Sequence, residues 1–326
     1  FTAARLPSPT ALALFGDGVV IAADTRVLLA SFASARLEVA AGYPGGFAAP
    51  GAPSPFSRLL DDAAGEAFDA AASRLYVSER GNHTVRAIDV VDPDDVRTWT
   101  ITTVGGAEGE AGFVDDVALA DARFDGPAGL AFDDANRFLY VADSGNHVVR
   151  VVDIDRDVVT TVVGTPRTLG FFGDGGDARA ALLFGPRAVT IDQLGNLFVA
   201  DTGNQRVRKV DPSATIATVL GDGARASSGV GAPARLFPVE EPLGLATDRF
   251  NNLYVTSTIL LRQVTAGADG EVNGDDEVRT LYGLAPRATF PENATRCLTG
   301  VVVGSGEVVY VADRCVGLLI ALERAP

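Results

Sequence analysis

The sequence is poor in several residue types that often signal function. Its 326 residues include no Met, one Lys (Lys209), two His and two Cys, and the formal net charge is -15. Since a nucleic-acid surface needs a basic stripe, this balance excludes nucleic acid as an expected partner. No apolar run reaches about 18 residues, so no transmembrane segment is predicted. The motifs Gly-x-Ser-x-Gly and His-Glu-x-x-His are also absent, which removes two common hydrolase sites.

The chain does contain one repeated segment. Residues 75–83 (LYVSERGNH), 139–147 (LYVADSGNH) and 197–205 (LFVADTGNQ) are near copies, and each leads into a second apolar run at 85–89, 149–153 and 207–211. Weaker copies complete a set of six anchors at spacings of 55 to 64 residues: Val20, Leu75, Leu139, Leu197, Leu253 and Val309. Six strand-rich repeats of this length predict a β-propeller.

Each repeat resolves into short runs rich in Val, Thr and aromatic residues, with Gly, Asp and Asn at the breaks. We therefore predict an all-β fold: one domain over residues 1–326, a six-bladed β-propeller of four-stranded antiparallel blades. The predicted blades are 10–42, 56–106, 125–164, 184–221, 241–283 and 297–326. The last blade lacks an outermost strand, so we expect residues 1–6 to pair with 318–322 and close the ring.

The connections between blades carry most of the loop sequence. Residues 105–126, 164–185 and 221–242 are long and Gly-rich. In a four-stranded antiparallel blade, these fourth-to-first connections emerge on the same face as the turns between the second and third strands. We call this the long-loop face. It is the expected binding face, because loops on a rigid scaffold commonly carry function.

The repeated pattern resembles the NHL repeat. The resemblance rests on Gly-Leu-Ala at 129–131, the LYVAD, GNH and VRVVD segments that follow, and Thr-Val-Val-Gly at 161–164. The loop at 170–176 (GFFGDGG) is similar to linkers in bacterial NHL arrays. The resemblance implies a six-bladed propeller that is mostly used as a binding module, including the extracellular sensor part of some bacterial kinases. A minority of such domains are enzymes, such as a lyase that releases amidated peptides.

The repeat places one polar residue at the end of each second strand: Asp24, Glu79, Asp143, Asp201, Ser257 and Asp313. A ring of this kind could hold a central metal. We favour a structural role, in which each carboxylate accepts hydrogen bonds from the N–H groups of the turn that follows it. Gly81, Gly145 and Gly203 are then expected to supply a positive φ. The predicted turn residues are Glu79, Asn82, His83, Asp143, Asn146, His147, Asp201 and Asn204.

His83 and His147 occupy equivalent positions in neighbouring repeats, and Gln205 stands at the third. The lyase that releases amidated peptides, which the resemblance implies as a possible relative, has a zinc site with several His. A catalytic zinc typically has three protein ligands. We therefore interpret both His as turn residues, which leaves no base for a Ser-His-Asp triad. A calcium-dependent lactonase on this fold would need Glu, Asp and Asn side chains to converge in the channel, and spacing alone does not show convergence.

One metal-site candidate falls in the fifth repeat. Its residues are Asp269, Glu271, Asn273 and Asp275. The first three are oxygen ligands at positions one, three and five, and Gly274 is at six, as in the first half of an EF-hand-type loop. Position twelve is Thr280 instead of Glu. The alternatives are weak calcium binding and a solvated acidic hairpin, and no other cofactor is expected.

Cys297 and Cys315 flank the hairpin of the sixth repeat, whose turn lies near residues 304–306. If residues 303 and 309 pair, the two Cys lie opposite each other, with Cβ atoms about 4.5–5.5 Å apart and close to disulfide reach. We predict a disulfide, with two free thiols as the alternative. The bridge would indicate an oxidising compartment, so the expected location is extracellular, periplasmic or the cell surface.

An acidic loop on the expected binding face would either recruit a cation or stay solvated: Glu108, Glu110, Asp115, Asp116, Asp121 and Asp125. We expect a non-catalytic binding or scaffold module that engages a protein, peptide or glycan. Because the chain begins at Phe1 and lacks Met, we expect it to be a processed or trimmed fragment. With the predicted disulfide and the NHL resemblance, the expectation is a monomeric domain that forms the exported portion of a larger bacterial protein. The alternatives are a lactonase- or lyase-type enzyme with a divalent metal in the channel, and a structural spacer.

Overall fold

The computed structural model describes residues 6, 8–16, 18–23, 25–31, 36–41, 60–92, 95, 98–225, 232–282 and 297–323. This part of the chain is all-β and forms six antiparallel sheets, as the sequence predicts. The helical segments within it are three-residue 3₁₀ turns. In the same ranges, no helix has the length and hydropathy needed to cross a membrane.

The sheets are the blades of a propeller, and each runs in chain order from an inner strand at the central channel to an outer strand. Blade 1 contains β1 (Pro9–Phe15), β2 (Gly18–Ala23), β3 (Arg26–Ser31) and β4 (Arg36–Ala41). Blade 2 contains β5 (Ala63–Asp69), β6 (Arg74–Glu79), β7 (Thr84–Asp89) and β8 (Thr100–Gly106). Blade 3 contains β9 (Pro127–Asp133), β10 (Phe138–Asp143), β11 (Val148–Asp153) and β12 (Val158–Val163).

The second half of the ring is built in the same way. Blade 4 contains β13 (Ala188–Ile191), β14 (Leu197–Asp201), β15 (Arg206–Val210) and β16 (Ile216–Leu220). Blade 5 contains β17 (Gly244–Thr247), β18 (Leu253–Thr256), β19 (Leu261–Val264) and β20 (Val278–Tyr282). Blade 6 contains the three strands β21 (Leu298–Val303), β22 (Val309–Asp313) and β23 (Leu318–Leu322).

The hydrophobic core lies between the blades. Each of the six clusters of buried apolar side chains joins two neighbouring blades; Tyr76, Leu130 and Leu139, for example, pack together between blades 2 and 3. Both faces of a blade are therefore covered. This explains why strands such as β2 are apolar along their whole length and fully buried instead of alternating.

The inner strands close the ring. Each one contacts the inner strands of both neighbouring blades, and β21 contacts β1. At one position in blades 2, 3, 5 and 6 this approach leaves little room for a side chain, while Ala stands at the equivalent position of blades 1 and 4. A Cβ atom on Gly65, Gly129, Gly244 or Gly300 would lie 2.2, 2.6, 2.1 or 2.8 Å from a backbone atom of the next blade. Glycine is therefore needed here for close packing of backbones.

The predicted closing strand falls mostly outside the described residues, which omit residues 1–5. Leu6 is described, and its backbone N–H donates to the Gly317 carbonyl at 2.8 Å, just before β23. A Cβ on Gly317, whose φ is +67°, would lie 2.4 Å from the Leu6 carbonyl oxygen. Leu6 therefore lies against the last blade at the predicted place, while strand pairing by the preceding residues stays a prediction.

The structure contains the Cys297–Cys315 disulfide, with 5.2 Å between the two Cα atoms. Its geometry follows from the register of blade 6, in which Val303 pairs with Val309 and Leu298 with Asp313. The bridge lies at the end of the hairpin away from its turn. It thus joins the segment that enters blade 6 to the turn between β22 and β23.

Gly244→Ala tests the packing of the inner strands. We expect it to lower the free energy of unfolding by about 1–3 kcal/mol, because the added methyl group would overlap the Thr299 carbonyl oxygen. Urea unfolding measures the change. Gly176→Ala is the matched control, since a Cβ there meets its nearest neighbour at 3.4 Å and the backbone is not left-handed. Equal stability of the two variants would contradict this account of the ring.

Candidate functional site

The polar residues shared by the repeats lie at the ends of the second strands, on the long-loop face. Glu79, Asp143, Asp201 and Asp313 end β6, β10, β14 and β22, and all four side chains are buried. Asp24, at the same position of blade 1, lies outside the described residues. Because a buried carboxylate needs hydrogen-bond donors, the donors identify what these acids do.

Blade 3 illustrates the arrangement. The Asp143 carboxylate accepts hydrogen bonds from the Asp125 backbone N–H (2.8 Å) and from Asn146 Nδ2 (2.8 Å), and Arg150 Nη1 lies 3.3 Å away. Asn146 also donates to the Gly112 carbonyl at 2.8 Å. Since Asp125 and Gly112 belong to the connection that enters blade 3, the acid and the amide fasten that connection to the turn between β10 and β11.

The same backbone bond recurs in three other blades, and we call it the entry latch. The pairs are Asp201 with the Phe184 N–H (2.8 Å), Glu79 with the Asp61 N–H (3.0 Å) and Asp313 with the Cys297 N–H (3.2 Å). These donors differ from the prediction, which placed them in the following turn. Asp313 does accept from that turn as well, at the Cys315 N–H. In blades 2 to 4 the turn instead contributes an Asn side chain.

A buried arginine accompanies the latch acid in blades 2, 3 and 4. Arg86, Arg150 and Arg208 each follow a β-bulge between the third and fourth strands, a distortion that re-aims side chains. Despite these cations, burial raises the pKa of Asp143 to about 7 and that of Asp201 to about 6. Such shifts often mark active sites. Here the carboxylates are occupied by bonds that hold the loops.

Blade 5 departs from this pattern. Ser257 stands where the other blades have an acid, and it bonds locally, to Leu260. The arginine is nevertheless retained: Arg262 is buried, follows the equivalent bulge, and lies over the Phe237 ring with Cζ 5.1 Å from the centroid. Burial lowers the Arg262 pKa to about 10.

The left-handed residues of the turns are not the predicted glycines. His83, His147 and Gln205 have φ of 58°, 60° and 55°, whereas Gly145 and its equivalents have ordinary φ. Gly145 is needed for space, because a Cβ would lie 2.4 Å from the Asp125 carboxyl carbon. Glycine here allows the entering connection to approach the turn closely.

The histidines link each blade to the next. His83 Nδ1 accepts a hydrogen bond from the Gly126 N–H (2.9 Å), and His147 Nδ1 accepts one from the Gly185 N–H (3.2 Å). At the third position, Gln205 Oε1 accepts from the Glu241 N–H at 2.7 Å. We call these bonds the cross-blade latches. An accepting Nδ1 carries no proton, so each ring is the Nε2–H tautomer. An amide oxygen can do the same, which explains Gln205.

The acidic loop is largely engaged within the protein. Asp115 accepts from Arg150 Nη2 and from the Thr161 N–H, both at 2.9 Å. Glu108 lies 3.2 Å from Arg86 Nη2. The other four residues make weaker or backbone contacts: Glu110 with Arg123 (3.9 Å), Asp116 with Val159, Asp121 with Ala118, and Asp125 in the entry latch. Glu108 and Asp115 of this loop therefore pair with the buried arginines of β7 and β11.

A lysine occupies the candidate calcium loop. Lys209 Nζ donates to Glu271 Oε2 (3.0 Å) and Asn273 Oδ1 (2.9 Å). Asp275 is paired with Arg235, and Asp269 accepts from the Asn273 side chain at 2.9 Å. Across the described ranges, no three His, Cys, Asp or Glu side chains are grouped as a metal site. Calcium binding at this loop stays a prediction.

Sequence reasoning missed one feature of the long-loop face, an aromatic cluster formed by Leu169, Phe171, Phe172 and Phe184. These side chains are 56%, 44%, 67% and 40% exposed. Backbone bridges hold the loop in place, Leu169 with Leu183 and Phe172 with Leu182. The exposed rings are thus carried by an ordered segment. The signal in the sequence was the adjacent pair Phe171 and Phe172.

The blade architecture defines a six-bladed β-propeller, which confirms the fold that the resemblance implies. A family profile described as the SMP-30/Gluconolactonase/LRE-like region matches residues 111–221. The chain is similar to NHL repeat-containing protein 2 of Bos taurus, with 33% identity over 146 residues, which are 43% of this chain and 19% of that protein. The match therefore spans about a fifth of the relative's length.

Two solved structures from Bacteroides thetaiotaomicron VPI-5482 share the fold. A structural genomics protein of unknown function matches with a TM-score of 0.65 and 18% identity, over 97% of this chain and 69% of that chain. An auxiliary nutrient binding protein matches with a TM-score of 0.64 and 12% identity, over 97% of this chain and 68% of that chain. At these identities the likeness establishes the fold alone.

His147→Ala and His147→Gln test the cross-blade latch. We expect His147→Ala to lower the free energy of unfolding by about 1–2 kcal/mol, because the Gly185 N–H loses its acceptor. His147→Gln should retain most of that stability, as Gln205 does in the next blade. Both substitutions place an ordinary residue at the same left-handed φ, so backbone strain cancels. Thermal unfolding at pH 7 checks the order, and equal losses would contradict the acceptor role.

Lys209→Met tests the candidate calcium loop. Removing the ammonium group frees the Glu271 and Asn273 oxygens, so calcium should raise the melting temperature more in this variant than in the original protein. At 10 mM calcium and a dissociation constant near 1 mM, the added stability would be about 1.4 kcal/mol. The reference is the same protein in chelator, and Asp269→Asn in the Lys209→Met background is the control. No calcium response in any variant would exclude this loop.

Proposed function

We propose that this propeller is a non-catalytic binding module whose long-loop face engages a protein or peptide with exposed carboxylates and apolar side chains. The aromatic cluster carries the proposal, because ordered, exposed Phe beside Arg is typical of interaction sites. A structural spacer would have no need of such a patch. The known binding proteins among the similar structures agree with this use of the fold but do not identify a partner.

The four residues of the cluster lie on two segments that are bridged to each other, which separates them from scattered exposed apolar residues. Leu169, Phe171 and Phe172 are near neighbours in the chain, and Phe184 follows Leu183, which bridges to Leu169. Single exposed apolar side chains are common on any protein, whereas contiguous patches mark binding surfaces or aggregation sites. The loop is also tied to the scaffold, since Asn204 Nδ2 donates to the Gly170 carbonyl at 2.6 Å. A partner would therefore meet a preorganised surface.

Arginine gives the cluster its charge preference. The Arg206 Cζ lies 3.8 Å from the Phe171 ring centroid, and Arg208 lies over the same ring at 4.9 Å. Arg206 donates to the carbonyl oxygens of Asn204 and Asp222. Burial and the positive charge of Arg208 lower the Arg206 pKa. Arg208 itself is paired with Asp174 and Asp201, so Arg206 is the arginine that supplies positive charge to the cluster. Carboxylates on a partner would offset that charge, which favours an acidic peptide over a neutral glycan.

Two observations support the proposal that the propeller is an exported module of a larger protein. The Cys297–Cys315 disulfide fits an oxidising compartment. The NHL repeat-containing relative is much longer than the segment it shares with this chain, which fits a propeller used as one part of a larger protein. A monomeric propeller agrees with a ring that is closed by its own inner strands.

An enzyme of the lactonase or lyase type is the alternative function. The profile match over residues 111–221 favours it, because that profile includes gluconolactonases. The matched segment contains the entry latches of blades 3 and 4, whose acids are already bonded to backbone and arginine. The geometry of the described residues therefore supports binding better than catalysis.

Phe172→Ser tests the binding surface. A displayed random-peptide library selected on the whole protein should yield peptides that combine Asp or Glu with apolar residues. A selected synthetic peptide should bind Phe172→Ser at least about tenfold more weakly, measured by fluorescence polarisation, because the most exposed ring of the cluster is lost. Phe250→Ser is the matched control: it removes a 49% exposed Phe from the turn between β17 and β18, on the opposite face.

The outcomes separate the candidate functions. No enriched peptide, or peptides that bind both variants equally, would contradict a binding role for the long-loop face. Glycan binding that is lost in Phe172→Ser would keep the surface and replace the class of partner.

A further inference from the structure

The six blades contribute one equivalent residue each to a ring around the channel: Leu12, Glu66, Leu130, Val189, Leu245 and Val301. Each follows the close-packed inner-strand position described above and faces the preceding blade. All six side chains are 4–7% exposed. Five are apolar and the sixth is a carboxylic acid. Glu66 is thus the one member of the ring that departs from the repeat.

The ring separates two spaces in the channel. On the long-loop side lies a cavity of about 50 Å³, bordered by Arg187 and the close-packed glycines. On the other side lies a cavity of about 370 Å³, which reaches the turns between first and second strands at Ala70 and Asp134. The larger cavity therefore opens on the face opposite the long loops, and we call it the channel cavity. Glu66 borders its inner end, with both carboxyl oxygens buried on the side of blade 1.

Glu66 is poorly compensated for a buried acid. Within the described residues neither carboxyl oxygen makes a hydrogen bond of normal geometry. Burial raises its pKa well above the usual range, and the nearby Ala22 N–H offsets only part of that effect. The strands β1 and β2, which pack against it from blade 1, carry no titratable side chain. Two titratable residues of β6, Arg74 and Glu79, are paired with Asp89 and Arg86. The other titratable residues on β6 and β9 are Tyr76 and Asp133.

The walls of the channel cavity define the chemistry it would accept. They are mainly aliphatic, with the aromatic rings of Phe68 and Phe132, and the ionisable groups among them are the two acids Glu66 and Asp134. Asp134 and the Phe132 ring lie near Arg137, whereas Glu66 has no basic neighbour among the wall residues. An acid without a basic neighbour favours a cation, and apolar walls favour an apolar body. Aromatic rings can also attract an ammonium group. A calcium ion is a poorer match, since it takes six to eight oxygen ligands.

We propose that the channel cavity binds a primary ammonium ligand with an apolar body, with the ammonium group paired to the Glu66 carboxylate at the inner end. In the free protein, burial favours the neutral form of Glu66. Binding of the ammonium form therefore releases the carboxyl proton to solvent, and a carboxylate–ammonium pair replaces the uncompensated acid. Affinity rises with pH until the ligand amine itself loses its proton. This site is separate from the long-loop face and does not depend on the proposed function.

The stability of the protein also depends on the protonation of Glu66. Because the Glu66 pKa is raised on folding, its contribution is fully present below the unfolded pKa of about 4.3 and is lost as pH rises toward the folded value. Glu66→Leu places an apolar side chain at this position, as in the other five blades. Glu66→Gln keeps the shape of the side chain but removes its titratable group. Both variants should melt at higher temperature than the original protein at pH 8, by an amount that shrinks toward pH 4.5.

The experiment uses 2-phenylethylammonium as the probe and 2-phenylethanol as its neutral match, titrated calorimetrically into the whole protein. We expect binding of the ammonium probe, proton release detected by comparing buffers of different ionisation enthalpy, and affinity that is higher at pH 8 than at pH 6. Glu66→Leu and Glu66→Gln should each weaken ammonium binding at least about tenfold, while Glu66→Leu retains or gains binding of the alcohol. Glu110→Gln, which changes a 71% exposed acid on the opposite face, is the control and should bind as the original protein does.

Several results would overturn the proposal. These are no ammonium binding at 10 mM, equal binding by the original protein and both Glu66 variants, or binding without proton release. Unchanged melting temperatures in the Glu66 variants at pH 8 would show that the acid is not buried in solution. The melting temperatures also establish that the variants fold, so a loss of binding can be assigned to the site.

Discussion

Two adjacent backbone N–H groups at the entry to a blade are bound by two different blades. In blade 3, the Asp125 N–H binds Asp143 of the same blade, and the Gly126 N–H binds His83 of blade 2. The same pairs recur at residues 184 and 185 of blade 4. Buried backbone groups must find partners, so this dipeptide fixes each blade against its own turn and against its neighbour. The long loops and the aromatic cluster extend from that fixed point.

The departures from the repeat show where the scaffold is reinforced or altered. In blade 6 the Cys297 N–H makes the entry latch, and Cys297 is bonded to Cys315 just beyond Asp313, so a covalent bond doubles the hydrogen bond. Blade 5 has lost the acid and keeps Arg262. Blade 2 has an acid, Glu66, where the others have Leu or Val. The first change serves stability, while Glu66 makes the channel chemically asymmetric.

Features that recur in every repeat could be predicted from the sequence. The six anchors gave the number of blades, and the hairpin register placed Cys297 opposite Cys315. Contacts between segments that are separated in the chain could not be predicted. The role of Gly145 depends on Asp125, and that of His147 on Gly185, and both contacts join segments far apart in the chain. Glu66 looked ordinary for the same reason, since only the ring shows that its five counterparts are apolar.

The ring of six inner-strand side chains forms the inner end of the channel cavity, because all six are almost wholly buried and border the spaces on both of its sides. A molecule in the 370 Å³ cavity would be covered on that side by the ring and would reach solvent past the turns between first and second strands. Its dwell time would then depend on the depth and walls of the cavity, and changes in the long loops can accumulate without altering access to it.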